Sequence, residues 1–138
     1  MNKIDFVLAW VDGADKEWLA ERRKYNPAKG ADNSAARYRD WENLQYWFRG
    51  VEKFAPWVNR IYFVTCGHIP PWLNTSHPKL KLIRHSDYMN PEYLPTFNIN
   101  SIELNFHRIP ELSEQFVYFN DDMFLLKSVK EEDFFKDG

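Results

Sequence analysis

The stretch "IDFVLAWVDG" (Ile4 to Gly13) constrains the fold more than any other part of the chain. It is a continuous apolar run with Val, Phe and Trp, ended by an Asp-Gly turn signal. A strand apolar on both faces belongs in the middle of a covered sheet rather than at its edge. Further strands are expected at "RIYFVTCG" (Arg60 to Gly67), "LKLIRHSD" (Leu80 to Asp87) and "QFVYFNDD" (Gln115 to Asp122), the last beginning as a buried strand.

Between these runs the period changes. Asp15 is placed to cap a short helix over Lys16 to Lys24. The small, polar stretch from Asn26 to Ala36 reads as a loop. From Asp40, the residues Trp41, Leu44, Phe48 and Val51 recur at spacings of three and four. That spacing predicts an amphipathic helix with Asp40 as its N-cap, ended by Pro56. "IPPWLNTSHP" (Ile69 to Pro78) is a proline-stiffened connection. Asn98 is placed to cap a further helix with Ile99, Ile102, Phe106 and Ile109 on its apolar face, closed by Pro110. Strands separated by helical patterns argue for an α/β domain with a mainly parallel sheet and flanking helices.

A chain of 138 residues is the size of one domain and can bury a core. Lys and Arg total 18 against 20 Asp and Glu, so the basic excess of a nucleic-acid binder is missing. The single Cys66 cannot form an internal disulfide. The apolar run at the N-terminus is too short to span a bilayer, so a soluble domain without a transmembrane segment is expected.

In parallel α/β sheets ligands sit at the carboxyl ends of the strands. That rule gathers Trp10, Asp12 and Gly13 after the first strand with Thr65, Cys66 and Gly67 after the second. It adds His85 and Asp87 after the third, and Asn120, Asp121 and Asp122 after the fourth. Two adjacent aspartates between apolar runs have two readings: a surface turn stabilised by side-chain bonds to backbone amides, or a site for a hard divalent cation. Asp12 reads equally as a turn residue, Arg39 as a surface arginine, His107 as a packed or solvated histidine, and Cys66 as a small buried hydrophobe.

Several long segments carry a resemblance: "IDFVLAWVDGAD", "YRDWENLQYWFRGVEKFAPWVNRIYFVTCGHIPPWLN", "LIRHSD", "LPTFN" and "IELNFHRIPELSEQFVYFNDDMF". In this order they resemble the Stealth family of sugar-phosphate transferases, which includes bacterial capsular polysaccharide phosphotransferases. The resemblance implies a nucleotide-sugar transferase core of GT-A or Rossmann-like type. Its reaction would carry hexose-1-phosphate or N-acetylhexosamine-1-phosphate from a UDP-sugar donor to a hydroxyl of a glycan acceptor. UMP would leave, and Mg²⁺ or Mn²⁺ would be required. The implied setting is capsular or cell-surface polysaccharide synthesis, in the cytoplasm or peripherally at the inner face of the membrane. The family pattern continues past Gly138 with further regions, so residues 1–138 are expected to be the first part of the enzyme. An uncovered crevice edge near Phe134 and Phe135 is expected from that ending.

On this resemblance Asp121 and Asp122 hold the cation, and Trp10, Asp12, Gly13, Thr65, Gly67 and His85 surround the nucleotide. Arg39 and Arg49 suit phosphate contacts because a planar guanidinium recognises phosphate bidentately. His107 is the candidate base for the acceptor hydroxyl. Arg39, His107 and Asp122 thus form the expected catalytic set. The chain departs from the family at Gln45, where arginine is frequent, and at Asn100, where histidine is common, so neither is assigned to the donor phosphates. Two rivals share the acidic motif: a metal-dependent glycosyltransferase releasing UDP, and a nucleotide-binding fragment without turnover.

Overall fold

The computed structural model describes residues 3–25 and 40–136. Strands β1 (Ile4–Ala9), β2 (Ile61–Thr65), β3 (Leu80–Arg84) and β4 (Gln115–Phe119) form one sheet. Helices α1 (Lys16–Tyr25), α2 (Leu44–Phe54) and α3 (Ile99–Leu104) accompany it, with short 3-10 turns between. The loop expected from Asn26 to Ala36 lies outside the described residues.

The strand order is β3-β2-β1-β4 and every pair is parallel. The chain enters at β1, steps outward through β2 and β3, and then crosses back to place β4 on the other side of β1. Strand order therefore reverses between β1 and β4, and a crevice opens there at the carboxyl ends.

β1 is interior and buried at all six positions, as its apolar run requires. Ile4, Phe6 and Leu8 face one side with Phe63 and Phe119, covered by Leu44, Trp47 and Val51 of α2. Val7 and Ala9 face the other with Tyr62 and Val64, covered by Tyr88, Met89, Ile102, Phe106 and Ile109. Each Val, Leu, Ile, Phe or Met side chain among them contributes about 1.5–3 kcal/mol when taken out of water. Asp5 lies within the same run and is fully buried. Its carboxylate accepts hydrogen bonds from Asn59 Nδ2 at 2.7 Å and from the Ser113 backbone N–H at 2.8 Å. Those bonds offset the desolvation of the charge and tie the start of β1 to the segments entering β2 and β4.

The helix caps agree in part with expectation. Asp15 accepts the Trp18 N–H at 2.7 Å, and Asn98 accepts the Asn100 N–H at 3.0 Å. Asp40 is not the cap of α2. It accepts the Glu42 N–H at 2.7 Å in a turn of its own, and Glu42 then takes a left-handed φ of 56°. The helix begins only at Leu44, which leaves Trp41 outside it. Similarly, α3 stops at Leu104 and Ile99 is exposed, while Ile102, Phe106 and Ile109 are buried as expected. β3 ends at Arg84, and His85–Asp87 form a 3-10 turn. β4 is only partly buried except at Phe119, because among the described residues it pairs with β1 alone.

The segment after β4 corrects the expectation of an uncovered edge at Phe134 and Phe135. Phe124, Leu125, Val129, Phe134 and Phe135 all pack against the core on the α2 side. The Val129 N–H donates to the Phe54 carbonyl at 3.0 Å, and Trp57 Nε1–H donates to the Val129 carbonyl at 2.8 Å. Phe134 meets Phe6 edge-on with ring centroids 5.9 Å apart. Gly50 of α2 lets this segment approach: a Cβ there would lie 3.3 Å from the Leu125 carbonyl oxygen.

Candidate donor-binding cleft

A cleft of about 500 Å³ lies at the reversal between β1 and β4. Trp10 and Val11, leaving β1, and Asn120, Asp121 and Asp122, leaving β4, line it together. The register explains the pairing. Leu8 lies opposite Phe119, so the residues immediately beyond both strands emerge at the same level. Trp10 is held by stacking on Phe63 at 5.8 Å, and its N–H extends the ladder to the Val64 carbonyl at 2.9 Å. His85 lines it from the exit of β3, and so does Cys66 from the exit of β2, exposed rather than buried as expected.

The acidic pair has an electrostatic signature. Burial raises the Asp121 carboxyl above its ordinary range, and the negative charges of Asp122 and, more weakly, Asp40 add to the effect. Among the described residues no arginine or lysine forms an ion pair with either carboxylate. Two oxygen-donor side chains suit Mg²⁺ or Mn²⁺, which usually take one or two carboxylates and complete their shell with substrate phosphates and water. No group of three or more His, Cys, Asp or Glu side chains poised for a metal occurs among the described residues.

The other expected site residues divide. His85 lines the cleft, and burial, followed by the nearby His68, lowers its pKa to about 4, which favours the neutral imidazole. Asp12 lines a neighbouring depression with Trp10, and its carboxylate accepts the Ala14 N–H at 3.0 Å. Gly13 sits in the turn between Asp12 and Asp15, whose N–H reaches the Asp12 carbonyl at 3.2 Å. The Thr65 hydroxyl is engaged inside its own turn, donating to the His68 carbonyl at 2.9 Å and accepting the Gly67 N–H at 3.0 Å. Gly67 adopts a φ of 132°, open to glycine and strained for side-chain-bearing residues, so it shapes this turn.

Two candidates are not brought to the cleft. Arg49 is exposed on α2 with its guanidinium 5.5 Å from the Tyr46 ring centroid. His107 is exposed on the 3-10 turn Phe106–Arg108, in the segment leading towards Ser113 and the opposite edge of the sheet. Arg39 lies outside the described residues.

The structure also brings in residues that sequence reasoning missed. Trp18 of α1 and Phe97 meet edge-on at 5.6 Å and wall the cleft with Thr96. Tyr118 faces it from β4, and its hydroxyl donates to Asn120 Oδ1 at 2.7 Å. Burial, followed by Glu103, raises the Tyr118 phenol above its usual range, which keeps it a neutral donor. The period of two from Tyr118 to Asn120 to Asp122 was the available signal. Nothing comparable marked Trp18 or Phe97.

Residues 2–30 match the family described as Stealth protein CR1, conserved region 1, and residues 37–138 match Stealth protein CR2, conserved region 2. The chain belongs to the Stealth family. A relative from Streptococcus pneumoniae, the capsular polysaccharide phosphotransferase WcwK, is 57% identical over 140 residues, covering 100% of this chain and 43% of the relative. The receptor polysaccharide phosphotransferase WefC of Streptococcus oralis is 53% identical, covering 99% and 42% respectively. The capsular polysaccharide phosphotransferase CpsJ of Streptococcus thermophilus is 52% identical, covering 96% and 57%. This Stealth chain thus spans about half the length of the curated relatives it matches. Among its described residues no helix is long and apolar enough to cross a membrane.

Proposed function

We propose that this chain forms the donor-binding core of a sugar-phosphate transferase in capsular or cell-surface polysaccharide synthesis. The donor is a UDP-sugar and the acceptor a glycan hydroxyl. One observation carries the reading: Trp10 at the exit of β1 and the pair Asp121 and Asp122 at the exit of β4 line one cleft where strand order reverses. An aromatic residue and two carboxylates lining one cleft suit the base and the diphosphate of one nucleotide-sugar. The names of relatives similar over the whole chain support the reaction class.

In this reading the acceptor oxygen attacks the β-phosphorus of the donor. The bond from that phosphorus to the bridging oxygen breaks, UMP leaves with that oxygen, and a phosphodiester forms as the hydroxyl proton passes to a base. Catalysis of this kind depends on positioning and charge neutralisation more than on covalent chemistry by the protein. Asp121 and Asp122 would hold Mg²⁺ or Mn²⁺, which neutralises diphosphate charge when bound. Trp10 supplies a flat apolar face at the β1 exit. Neutral His85 and Tyr118 offer hydrogen bonds inside the cleft without adding charge. Trp18 and Phe97 narrow it and limit the entry of water.

The test is incubation of this chain, and of a form extended to the length of its relatives, with UDP-sugar, Mg²⁺ and acceptor glycans. Released UMP together with a phosphodiester product supports the proposal. Released UDP assigns the protein to the glycosyltransferases instead. Nucleotide binding without product in both forms assigns it to binding modules.

A further inference from the structure

We propose that His68 is a positioning residue for this cleft: as a neutral imidazole it accepts the Asp12 backbone N–H and holds the β1 exit loop in its cleft-lining conformation. The inference rests on the donor reading of that cleft but concerns a residue to which that reading gives no role.

The Asp12 N–H donates to His68 Nδ1 at 3.0 Å, joining segments 56 residues apart in sequence. An amide N–H can only donate, so Nδ1 must be the unprotonated ring nitrogen and the ring hydrogen sits on Nε2. Nε2 lies 3.5 Å from Asp15 Oδ2, at the start of α1. The ring also meets Trp10 edge-on at 6.2 Å. His68 itself stands on a fixed base, because the Thr65 hydroxyl bonds the His68 carbonyl and the Gly67 N–H together. The end of β2 is thereby linked through one imidazole to the loop that carries Trp10 and Asp12. Among the described residues the other hydrogen bonds of Asp12 and Asp15 stay local, to Ala14, Trp18, Leu19 and each other.

Protonation removes the acceptor. An imidazolium presents an N–H to the Asp12 N–H, donor against donor, and the link opens. The groups facing the ring are Asp15 at Nε2, Asp12 at the amide, the Cys66 thiol 3.5 Å from Nδ1, and His85 from the β3 exit. Glu17 and Glu21 of α1 line the depression on one side of His68, and Asp40 and Glu42 line the one on the other. The sign follows from the acceptor: the link is present at higher pH and lost as the pH falls and the ring protonates.

Two readouts test this, one with nucleotide and one without. UMP binding is titrated for the wild type, His68→Ala and His68→Asn at about pH 7.5 and about pH 5.5. Asn places a non-titrating oxygen near the Nδ1 position. At the higher pH, His68→Ala should bind UMP about ten-fold more weakly, the loss expected for one hydrogen bond, and His68→Asn should bind near the wild-type level. At the lower pH the wild type should lose more affinity than His68→Asn, which reports whatever the carboxylates lose. Without ligand, nitrogen NMR should show Nδ1 bonded to the Asp12 amide. Hydrogen-exchange protection of that amide should fall at low pH and in His68→Ala but persist in His68→Asn. An Asp12 amide indifferent to pH and to His68→Ala overturns the proposal, as does wild-type UMP affinity in His68→Ala. If the amide behaves as expected and no form binds UMP, the His68 link stands and the donor reading falls.

Discussion

Asp5 and Ser113 are 108 residues apart, yet the Asp5 carboxylate accepts the Ser113 backbone N–H at 2.8 Å inside the molecule. The other carboxylate oxygen takes Asn59 Nδ2 at 2.7 Å. Asp5→Asn exchanges one acceptor for a donor facing a donor and should destabilise the fold by about 2 kcal/mol. Denaturant unfolding measures the loss. Stability equal to wild type would mean that this clasp contributes nothing net.

His85 makes stability depend on pH. Its pKa of about 4 in the fold lies below the ordinary 6.5, so the unfolded chain binds the proton more readily. Its contribution is complete above about pH 6.5 and declines as the pH falls towards about 4, by about 3 kcal/mol in all. His85→Asn should therefore show a shallower acid loss than wild type between about pH 7 and about pH 4.5. Parallel pH profiles for the two proteins would contradict the assignment.

Asp122→Asn removes one charge from the pair at the end of β4 while keeping its shape. The expected outcome is a folded protein whose UDP affinity no longer responds to Mg²⁺, because one carboxylate and a diphosphate hold the cation poorly. Calorimetric titration of UDP with and without Mg²⁺ reads this directly. A Mg²⁺ effect as large as wild type would remove Asp122 from the metal site.

Gly50 tests the packing of the segment after β4. Gly50→Ala gains about 1 kcal/mol of helix propensity, set against the 3.3 Å approach to the Leu125 carbonyl, so it should be near neutral. Gly50→Leu should cost about 2 kcal/mol because the larger side chain must displace that segment. Thermal melts of both variants check the difference, and equal stability for both would show that the contact is slack.

The four strands and the carboxyl-end location of the cleft were legible because apolar runs and turn signals are local. The misreadings have local causes too. Trp41 falls in helical phase with Leu44, but the Asp40 turn and the left-handed Glu42 intervene, and phase alone carries no sign of that. Asp5 disappears within an apolar run because its partners, Asn59 and Ser113, are distant in sequence. His68 is invisible for the same reason: its defining bond joins two loops. Phe134 and Phe135 suggested an exposed end until the surface of α2 was there to receive them.

The strand order sets the stiffness of the cleft's two walls. β1 is hydrogen-bonded to a neighbour on each side, whereas β4 pairs only with β1 among the described residues. Local opening begins where fewest bonds must break, so β4 should exchange its amide hydrogens before β1 does. Trp10 therefore stands on the sheet's fixed rail, while Asp121 and Asp122 ride on a strand that can give before the rest of the sheet does.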